Sequence, residues 1–417
     1  MRDGENSVER HHTSPRNVTV MVLAGGEGQR LHPLTSARAK PGVRFGGTYR
    51  MIDFTLSNCI NSGLRRIHLL TQYASTSLSR HVRRTWSSRL SDDMDEFVEI
   101  VPPQKIFANR WYAGTADAIF QNLSILQEDR PEAVVLLSGD HAYKMDYCAM
   151  LDFHTQRGAE LTICCLSVPR QTATRLGVVA VDETDRVVDF LEKPDAPAVA
   201  LDGAEHSLVN IGVYIWQTAA LAAAISADSR SNSAHDFGRD IIPAMVQAGR
   251  PVFAYPFRPA GDSPHPYWRD IGTLESYWQA QMDLVGPVPE LDLYDATWPI
   301  FTYKSPLPPA KIVCGEGGRQ AVVTDSLLSS GVIVCGSAVN RSVLSPGVRV
   351  DPSAQIDECI LMDGVVVGEG ASLRRVIVDE GVVIPPGYAI GHDAEGDAKR
   401  FVVSEGITVV PRRVQFD

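Results

Sequence analysis

The stretch Val18–Leu31, VTVMVLAGGEGQRL, joins a short apolar run to a glycine-rich loop. The apolar run predicts a buried strand of a parallel sheet. Gly25, Gly26 and Gly28 would let the backbone approach a phosphate chain and point N–H groups at it. Arg30 adds a permanent charge whose donors form a fork suited to phosphate oxygens. The stretch therefore predicts an anion site at the end of the first strand. Its spacing fits neither a Walker A loop nor the dinucleotide fingerprint.

Other apolar runs further along the chain resemble this strand, and helical stretches lie between several of them. The predicted strands are Ile67–Thr71, Ala133–Ser138, Leu161–Val168, Val178–Val181 and Leu208–Trp216. Strands that alternate with helices predict an α/β domain with a mostly parallel, mixed sheet, whose ligands bind at the carboxyl ends of the strands. We assign this domain to residues 18–285, after a flexible polar tail at residues 1–17.

The remainder of the chain divides into a linker and a repeat. Residues 286–311 are rich in proline, which continues neither a helix nor a central strand, so they predict an ordered linker. Within residues 312–417, Gly-Val pairs recur with spacings of 16, 17 and 17 residues, at 331–332, 347–348, 364–365 and 381–382. A third apolar set repeats in the same phase. Short strands in coils of about 17 residues predict a parallel β-helix, because each coil buries its apolar row only against its neighbours.

Composition and charge limit the class of protein. A net charge of −11 disfavours nucleic acid as the main partner. No apolar run approaches the roughly 18 residues of a membrane span. Seven cysteines without a CxxC pair favour reduced thiols and a cytoplasmic protein. Between Gly28 and Ser91 the chain carries eleven Lys and Arg residues and one acid, Asp53. We interpret this segment as facing phosphorylated small molecules, although a solvated basic face is the alternative.

Several long motifs, in a fixed order, carry a resemblance to a known family. They are LAGGEGQRL, ARAKPGVRFGGTYRMIDF, WYAGTADAI, SGDHAYKMDY, FLEKP, HDFGRDIIP and YWRDIGTLESYWQAQMDL. The chain resembles the sugar-1-phosphate nucleotidylyltransferases, and among them the family of glucose-1-phosphate adenylyltransferases. The resemblance implies a Rossmann-like nucleotidyltransferase domain followed by a left-handed parallel β-helix. It also implies that ATP and glucose 1-phosphate react to ADP-glucose and pyrophosphate, with Mg²⁺ as cofactor, in the first committed step of bacterial glycogen synthesis.

The same resemblance implies roles for particular residues. Arg30 and Lys40 would hold the triphosphate and the departing pyrophosphate, and Asp140 would bind Mg²⁺ together with Asp270. Without the resemblance, each aspartate could equally cap a helix. The positions implied to contact the nucleotide are Leu23, Ala24, Gly25, Gly26, Gly28, Gln72 and Tyr112. The positions implied to contact the sugar phosphate are Tyr112, Gly177, Glu192, Lys193 and Asn210, the last replacing a serine of many relatives.

Regulation and assembly are implied in the same way. Arg38, Arg44, Arg50 and Trp111 match positions that bind or relay an allosteric effector, and a homotetramer is implied. Ala37, Glu128 and Glu380 stand where some relatives have Lys or Arg. Fewer cations should weaken binding of a bisphosphate. We therefore expect a less charged glycolytic intermediate, fructose 6-phosphate or pyruvate, as activator.

Two other functions are weighed against this one. The same chemistry could use UTP, dTTP or GTP, or another sugar 1-phosphate, because the sequence is a poor guide to which nucleotide base the site accepts. The chain could also be a non-catalytic regulatory subunit. Such subunits typically lack one of Arg30, Lys40 and the metal aspartate, all of which this chain retains. Finally, Glu27 places a negative charge inside the glycine loop, so we expect its side chain to point away from the phosphates.

Overall fold

The computed structural model describes residues 17–103, 111–197, 205–261 and 266–416. The predicted tail therefore lies outside the described residues, apart from Asn17. The strands of the first domain are β1 (Val18–Ala24), β2 (Arg44–Phe45), β3 (Tyr49–Arg50), β4 (Arg66–Thr71), β5 (Phe97–Val101), β6 (Ala133–Ser138), β7 (His141–Tyr143), β8 (Leu161–Pro169), β9 (Gly177–Val181), β10 (Val187–Glu192), β11 (His206–Gln217), β12 (Val252–Pro256) and β13 (Trp268–Asp270). Its α-helices are α1 (Met51–Asn61), α2 (Thr76–Trp86), α3 (Thr115–Phe120), α4 (Leu123–Asp129), α5 (Cys148–Gln156), α6 (Arg170–Ala173), α7 (Thr218–Asp228), α8 (Ile242–Gln247) and α9 (Leu274–Met282).

A mixed sheet forms the centre of this domain, as predicted. Its order is β10-β9-β11-β6-β1-β4-β5, with β8 pairing both β11 and β12. The strands β6, β1, β4 and β5 are parallel to one another. The long strand β11 instead runs antiparallel to β6, β8 and β9. The sheet thus has a parallel half, β6-β1-β4-β5, and a mixed half beyond β6 in which β11 is antiparallel to its neighbours while β8 and β12 pair in parallel.

The register of the parallel half brings several loops to one edge. Leu23 of β1 lies opposite Ser138 of β6, and Ala24 lies opposite Thr71 of β4. The segments that follow these residues are the glycine loop, the turn to Asp140 and the turn to Gln72. Because parallel strands end at the same edge, three segments far apart in sequence meet there.

The proline-rich segment is fastened to the first domain over much of its length. The backbone N–H of Phe301 donates to Oγ of Ser57 at 2.8 Å, and Nε1 of Trp298 donates to Oδ1 of Asn58 at 2.9 Å. Asp295 forms a buried ion pair with Lys144 at 3.1 Å. These contacts join the segment to helix α1 and to the residue that follows β7.

The C-terminal part is a parallel β-helix. Its strands are β14 (Lys311–Val313), β15 (Val322–Thr324), β16 (Leu327–Leu328), β17 (Ile333–Cys335), β18 (Ala338–Asn340), β19 (Val343–Leu344), β20 (Arg349–Val350), β21 (Gln355–Asp357), β22 (Ile360–Leu361), β23 (Val366–Val367), β24 (Ser372–Arg374), β25 (Val376–Val378), β26 (Val383–Ile384), β27 (Ala389–Ile390), β28 (Val402–Ser404) and β29 (Ile407–Val410), with helix α10 (Ala394–Asp397). They form three sheets, β14-β17-β20-β23-β26, β15-β18-β21-β24-β27 and β16-β19-β22-β25-β29-β28.

The Gly-Val repeat marks one corner of each coil. Its glycines have φ between 66° and 76°, a left-handed conformation that glycine adopts without strain. The valines that follow them are buried, with at most 4% of their surface exposed. Glycine turns the chain and valine fills the interior, so the spacing read from the sequence is the length of one coil.

The two parts share a hydrophobic core. The outer face of the third sheet contributes Val343, Ile360, Ile377, Ile407 and Val409 to a buried cluster. Phe45, Phe54, Tyr277 and Trp278 are among the residues of the first domain that pack in the same cluster. The β-helix therefore buries a side surface against α1 and α9 as well as its own interior.

Two further observations concern the chain as a whole. The seven cysteines are all free, as predicted. Among the described residues, none of the helices has the length and apolar character needed to cross a membrane.

Candidate active site

The glycine loop is held against two neighbouring segments. Gly28 has φ of 63°, and a side chain there would come within 3.1 Å of Cβ of Lys40. At Gly25, a Cβ atom would lie 3.1 Å from Cβ of Gln72. Oε1 of Gln72 accepts a hydrogen bond from the backbone N–H of Tyr112 at 3.2 Å. The residues predicted to contact a nucleotide thus converge at the end of β1.

Lys40 lies between the two carboxylates predicted to bind a metal ion. Its Nζ is 2.6 Å from Oδ2 of Asp140 and 3.2 Å from Oδ1 of Asp270. Burial alone would raise the pKa of the Asp140 carboxyl, but Lys40 and His141 beside it hold that pKa well below its usual range. Burial alone would lower the pKa of Lys40, but the two carboxylates have the larger combined effect, so this pKa is raised. Lys40 and the Asp140 carboxyl are therefore both charged at neutral pH.

A two-stranded ribbon of β7 and β13 positions both carboxylates. In its register Asp270 lies opposite His141, the neighbour of Asp140. Donor atoms of Asp140, His141 and Asp270 all lie within 4.8 Å of one another. Two carboxylates are ligands suited to a hard divalent cation, so the donor set fits one. Within the described part of the chain, this is the one cluster of three such residues. We did not predict His141 as part of it.

A cleft of about 490 Å³ extends from Asp270 and His141 to the residues predicted to bind the sugar phosphate. Its lining includes Arg30, Gly177, Glu192, Lys193, Asn210 and Asp270. A smaller recess of about 190 Å³ shares Glu192 and Asn210 with it and reaches Leu23. The structure thus connects the sugar-phosphate candidates with the end of the first strand.

Glu192 fits between two glycines at this cleft. A Cβ atom at Gly177 would lie 2.9 Å from Oε2 of Glu192, and one at Gly238 would lie 2.8 Å from it. Oε1 of the same carboxylate contacts Nζ of Lys193 at 2.9 Å. Asn210 donates through Nδ2 to the hydroxyl of Tyr214 at 2.7 Å and accepts from the backbone N–H of Gly212 at 2.9 Å. Neither glycine leaves room for a side chain beside the carboxylate.

Several cavity residues were not assigned a role from the sequence. Thr115, Tyr214, Asp236 and Phe237 line the recess, and Trp268 lines the cleft. Asp236 accepts hydrogen bonds from Oγ1 of Thr115 and from the backbone N–H of Gly238, both at 3.0 Å. Asp236 and Phe237 belong to the motif HDFGRDIIP, and that motif could have indicated from the sequence that they lie at the site.

The arginines predicted to bind an effector lie at the boundary with the β-helix. Arg38 is buried and pairs with Asp379 at 2.6 Å and with Glu380 at 3.2 Å. Arg44 pairs with Asp363. Burial, together with the cations of Arg44 and Arg38, lowers the pKa of Arg50 to about 10. Carboxylates of the β-helix therefore already balance part of this positive charge.

Three other predicted features have different outcomes. Trp111 is 57% exposed and borders the undescribed residues 104–110, so its role stays a prediction. Glu27 is exposed and accepts a hydrogen bond from Gln29 at 2.7 Å. The interpretation that the basic segment faces phosphorylated small molecules does not hold for all of its members. Arg65 and Arg66 lie at the opposite end of β4 from the site and pair with Glu96 and Asp129.

Comparison with known proteins agrees with this fold. Residues 19–286 match the model of the nucleotidyl transferase family, and residues 308–410 match the GlmU-like, C-terminal hexapeptide model. The chain belongs to the nucleotidyl transferase family, and the predicted left-handed β-helix after the catalytic domain is confirmed. Nucleotidyl transferases generally use a divalent metal ion.

A more specific similarity extends over almost the whole chain. Over 395 residues, the chain is 45% identical to glucose-1-phosphate adenylyltransferase 2 of Alkalilimnicola ehrlichii. The alignment covers 95% of this chain and 93% of that protein. The resemblance predicted from the motifs is therefore confirmed.

Proposed function

We propose that this protein transfers AMP from ATP to α-D-glucose 1-phosphate, giving ADP-glucose and pyrophosphate. An oxygen of the sugar phosphate attacks the α-phosphorus of ATP. The bond from that phosphorus to the bridging oxygen breaks, and pyrophosphate leaves with the electron pair. No protein nucleophile is required. Catalysis then depends on holding two anions together and on neutralising the charge that passes to the leaving group.

The observation that carries this proposal is the position of Lys40 between Asp140 and Asp270, beside the glycine loop. Arg30 lines the cleft next to Asp270, and no ion pair of Arg30 occurs among the described residues, so its guanidinium is available to phosphate oxygens. Lys40 holds both carboxylates in place and contributes positive charge near the leaving pyrophosphate. A divalent cation, Mg²⁺ in this proposal, would be held by Asp140 and Asp270 and would neutralise negative charge on the phosphates.

The opposite wall of the cleft would hold glucose 1-phosphate. Lys193 is half-exposed at the cleft and provides a cation for the phosphate group. Glu192, fixed between Gly177 and Gly238, offers carboxylate oxygens to sugar hydroxyls. Asn210 is fixed by Tyr214 and Gly212, so its amide offers a polar contact of defined orientation.

A rate assay over nucleotides tests the proposal. ATP, UTP, dTTP and GTP are each supplied with glucose 1-phosphate and Mg²⁺, and release of pyrophosphate is measured. ATP should give the highest kcat/KM. A higher value with another nucleotide would favour the same chemistry on a different base. If none of the four supports turnover, while the substrates still bind, the chain is a non-catalytic subunit.

We also propose that a glycolytic intermediate of low charge activates the enzyme. The arginines at the domain boundary face Asp363, Asp379 and Glu380, which leaves little net positive charge for a bisphosphate. Fructose 6-phosphate and pyruvate should therefore activate at lower concentration than fructose 1,6-bisphosphate. The idea fails if the bisphosphate acts at the lowest concentration of the intermediates tested.

Assembly and location complete the proposal. We expect a homotetramer in the cytoplasm, as the family resemblance implies. Light scattering on the purified protein, coupled to size-exclusion chromatography, measures the mass of the assembly. A mass near four times the 45.5 kDa of one chain supports the proposal.

A further inference from the structure

An imidazole lies beside the two carboxylates that are expected to hold the cation. Nε2 of His141 is 3.6 Å from Oδ1 of Asp140 and 3.9 Å from Oδ1 of Asp270. Lys40 uses the other oxygen of Asp140, Oδ2. Oδ1 of that carboxylate therefore faces the ring, and it also accepts a hydrogen bond from the hydroxyl of Ser138.

The ring of His141 is fixed from two sides. Trp268 contacts it edge to face, with ring centroids 5.0 Å apart and an interplanar angle of 73°. Gly212 lies so close that a Cβ atom there would be 3.1 Å from Cε1 of His141. Nδ1 is buried and has no hydrogen-bond partner within the residues that the structure describes. Packing rather than hydrogen bonding thus orients Nε2 towards the carboxylates.

The spacing of the three donor atoms suits a single ion. With metal–ligand bonds of about 2.1 Å, two donors on one ion lie about 3 Å apart when adjacent and about 4 Å apart when opposite. The distances of 3.6 and 3.9 Å lie between these two values, within about 0.6 Å of one or the other. The three donors therefore need only small side-chain movements to share an ion.

We propose that His141 is a third ligand of the divalent cation and that it strengthens the binding of Mn²⁺ more than that of Mg²⁺. Mg²⁺ binds oxygen ligands and gains little from an imidazole, whereas imidazole binds first-row transition ions well. The inference rests on the proposed function, because the cation is the one expected to contact the phosphates. It adds a nitrogen ligand to the two carboxylates.

Electron paramagnetic resonance of Mn²⁺ bound to the protein with a non-hydrolysable ATP analogue tests this directly. The spin echo of the wild type should show modulation from an imidazole nitrogen, and H141N should lack it. Calorimetric titration should show the Mn²⁺ affinity of H141N reduced about tenfold or more. Its Mg²⁺ affinity should fall by less than about threefold. H154N is the matched control, since His154 is also buried but is hydrogen-bonded to Thr162.

Two results would overturn the proposal. One is the absence of nitrogen modulation in the wild type, and the other is an equal loss of Mn²⁺ and Mg²⁺ affinity in H141N, which would mean that the ring only supports the carboxylates. If H141N does not fold, H141F keeps a ring against Trp268 without the nitrogen and should give the same result. Turnover of the wild type with ATP and glucose 1-phosphate tests the proposed function separately, because the metal measurements need no turnover.

Discussion

The ammonium group of Lys40 lies 2.6 Å from Oδ2 of Asp140, although 100 positions separate the two residues in sequence. A second carboxylate, that of Asp270, lies 3.2 Å from the same nitrogen. The lysine comes from the short turn after the glycine loop and the aspartates come from the β7/β13 ribbon. The contact between Lys40 and Asp140 therefore joins the part of the site expected to bind the nucleotide to the part expected to bind the metal ion.

Replacing Lys40 with Met should lower kcat by about 100-fold to 1,000-fold, because a cation that stabilises developing charge is lost. The KM for glucose 1-phosphate should change much less, since Lys40 does not line the sugar cleft. Steady-state rates of pyrophosphate release measure both constants. K311M, at an exposed lysine of β14, is the control and should behave like the wild type. A K40M enzyme with an unchanged kcat would contradict the assigned role.

A methyl group at Gly177 should weaken the sugar site. Its Cβ would lie 2.7 Å from Cζ of Phe190 and 2.9 Å from Oε2 of Glu192, so the carboxylate must move. We expect G177A to raise the KM for glucose 1-phosphate about tenfold or more, with little change in the KM for ATP. G286A is the matched control, because open space surrounds that position. Equal changes in both KM values would instead indicate a general disturbance of the domain.

The Lys144–Asp295 pair should make stability depend on pH in acid. Burial opposes ionisation of Asp295, but hydrogen bonds from Thr297 and Lys144 lower its pKa to about 2. A carboxyl whose pKa is lowered in the folded state stabilises it above the ordinary pKa of about 4, and this stabilisation is lost as pH falls towards 2. The D295N variant should not show this loss of stability as the pH falls. At pH 7 its free energy of unfolding should be lower by about 3 kcal/mol, because Lys144 stays buried without its partner.

Denaturant unfolding at pH 7, and at intervals between pH 4 and pH 2, measures this effect. D185N is the control, since Asp185 pairs with Arg157 at 2.8 Å on the exposed surface and should contribute less than about 1 kcal/mol. Equal destabilisation by the two substitutions would show that the buried pair has no special role.

Exchanging Glu380 for Arg should increase sensitivity to a bisphosphate. Glu380 contacts Arg38 at 3.2 Å and Arg412 at 3.4 Å, and these cations hold its pKa below the usual range in spite of burial. E380R leaves an excess of positive charge there, which favours a multiply charged anion. The concentration of fructose 1,6-bisphosphate for half-maximal activation should fall, while that for pyruvate should change little. An unchanged response to the bisphosphate would place its site elsewhere.

Local patterns predicted the fold well because they report local physics. The apolar run and glycines of Val18–Leu31 predicted β1 and its loop, and the period of the Gly-Val repeat predicted the coil. The antiparallel direction of β11 carries no such local signal, because its apolar pattern is that of any buried strand. The sequence therefore predicted which segments form strands better than how those strands pair.

Pairing across long separations explains what sequence reasoning missed at the site. The excess of cations between Gly28 and Ser91 suggested a segment that faces phosphorylated small molecules, but Asp379 and Asp363 neutralise Arg38 and Arg44 from more than 300 positions away. His141 was overlooked because a histidine after an aspartate has no distinctive pattern. The role proposed for it rests on the β7/β13 ribbon, which brings Asp270 beside it.

The core shared by the third sheet of the β-helix and the first domain has a consequence for any attempt to separate the two parts. A β-helix cut away from the first domain would expose Ile360, Ile377 and Val409 to water. Phe45 and Trp278 would be uncovered on the other side of the same break. Each fragment would then carry an exposed apolar patch, so we expect the separated parts to aggregate or to re-associate unless they are produced together.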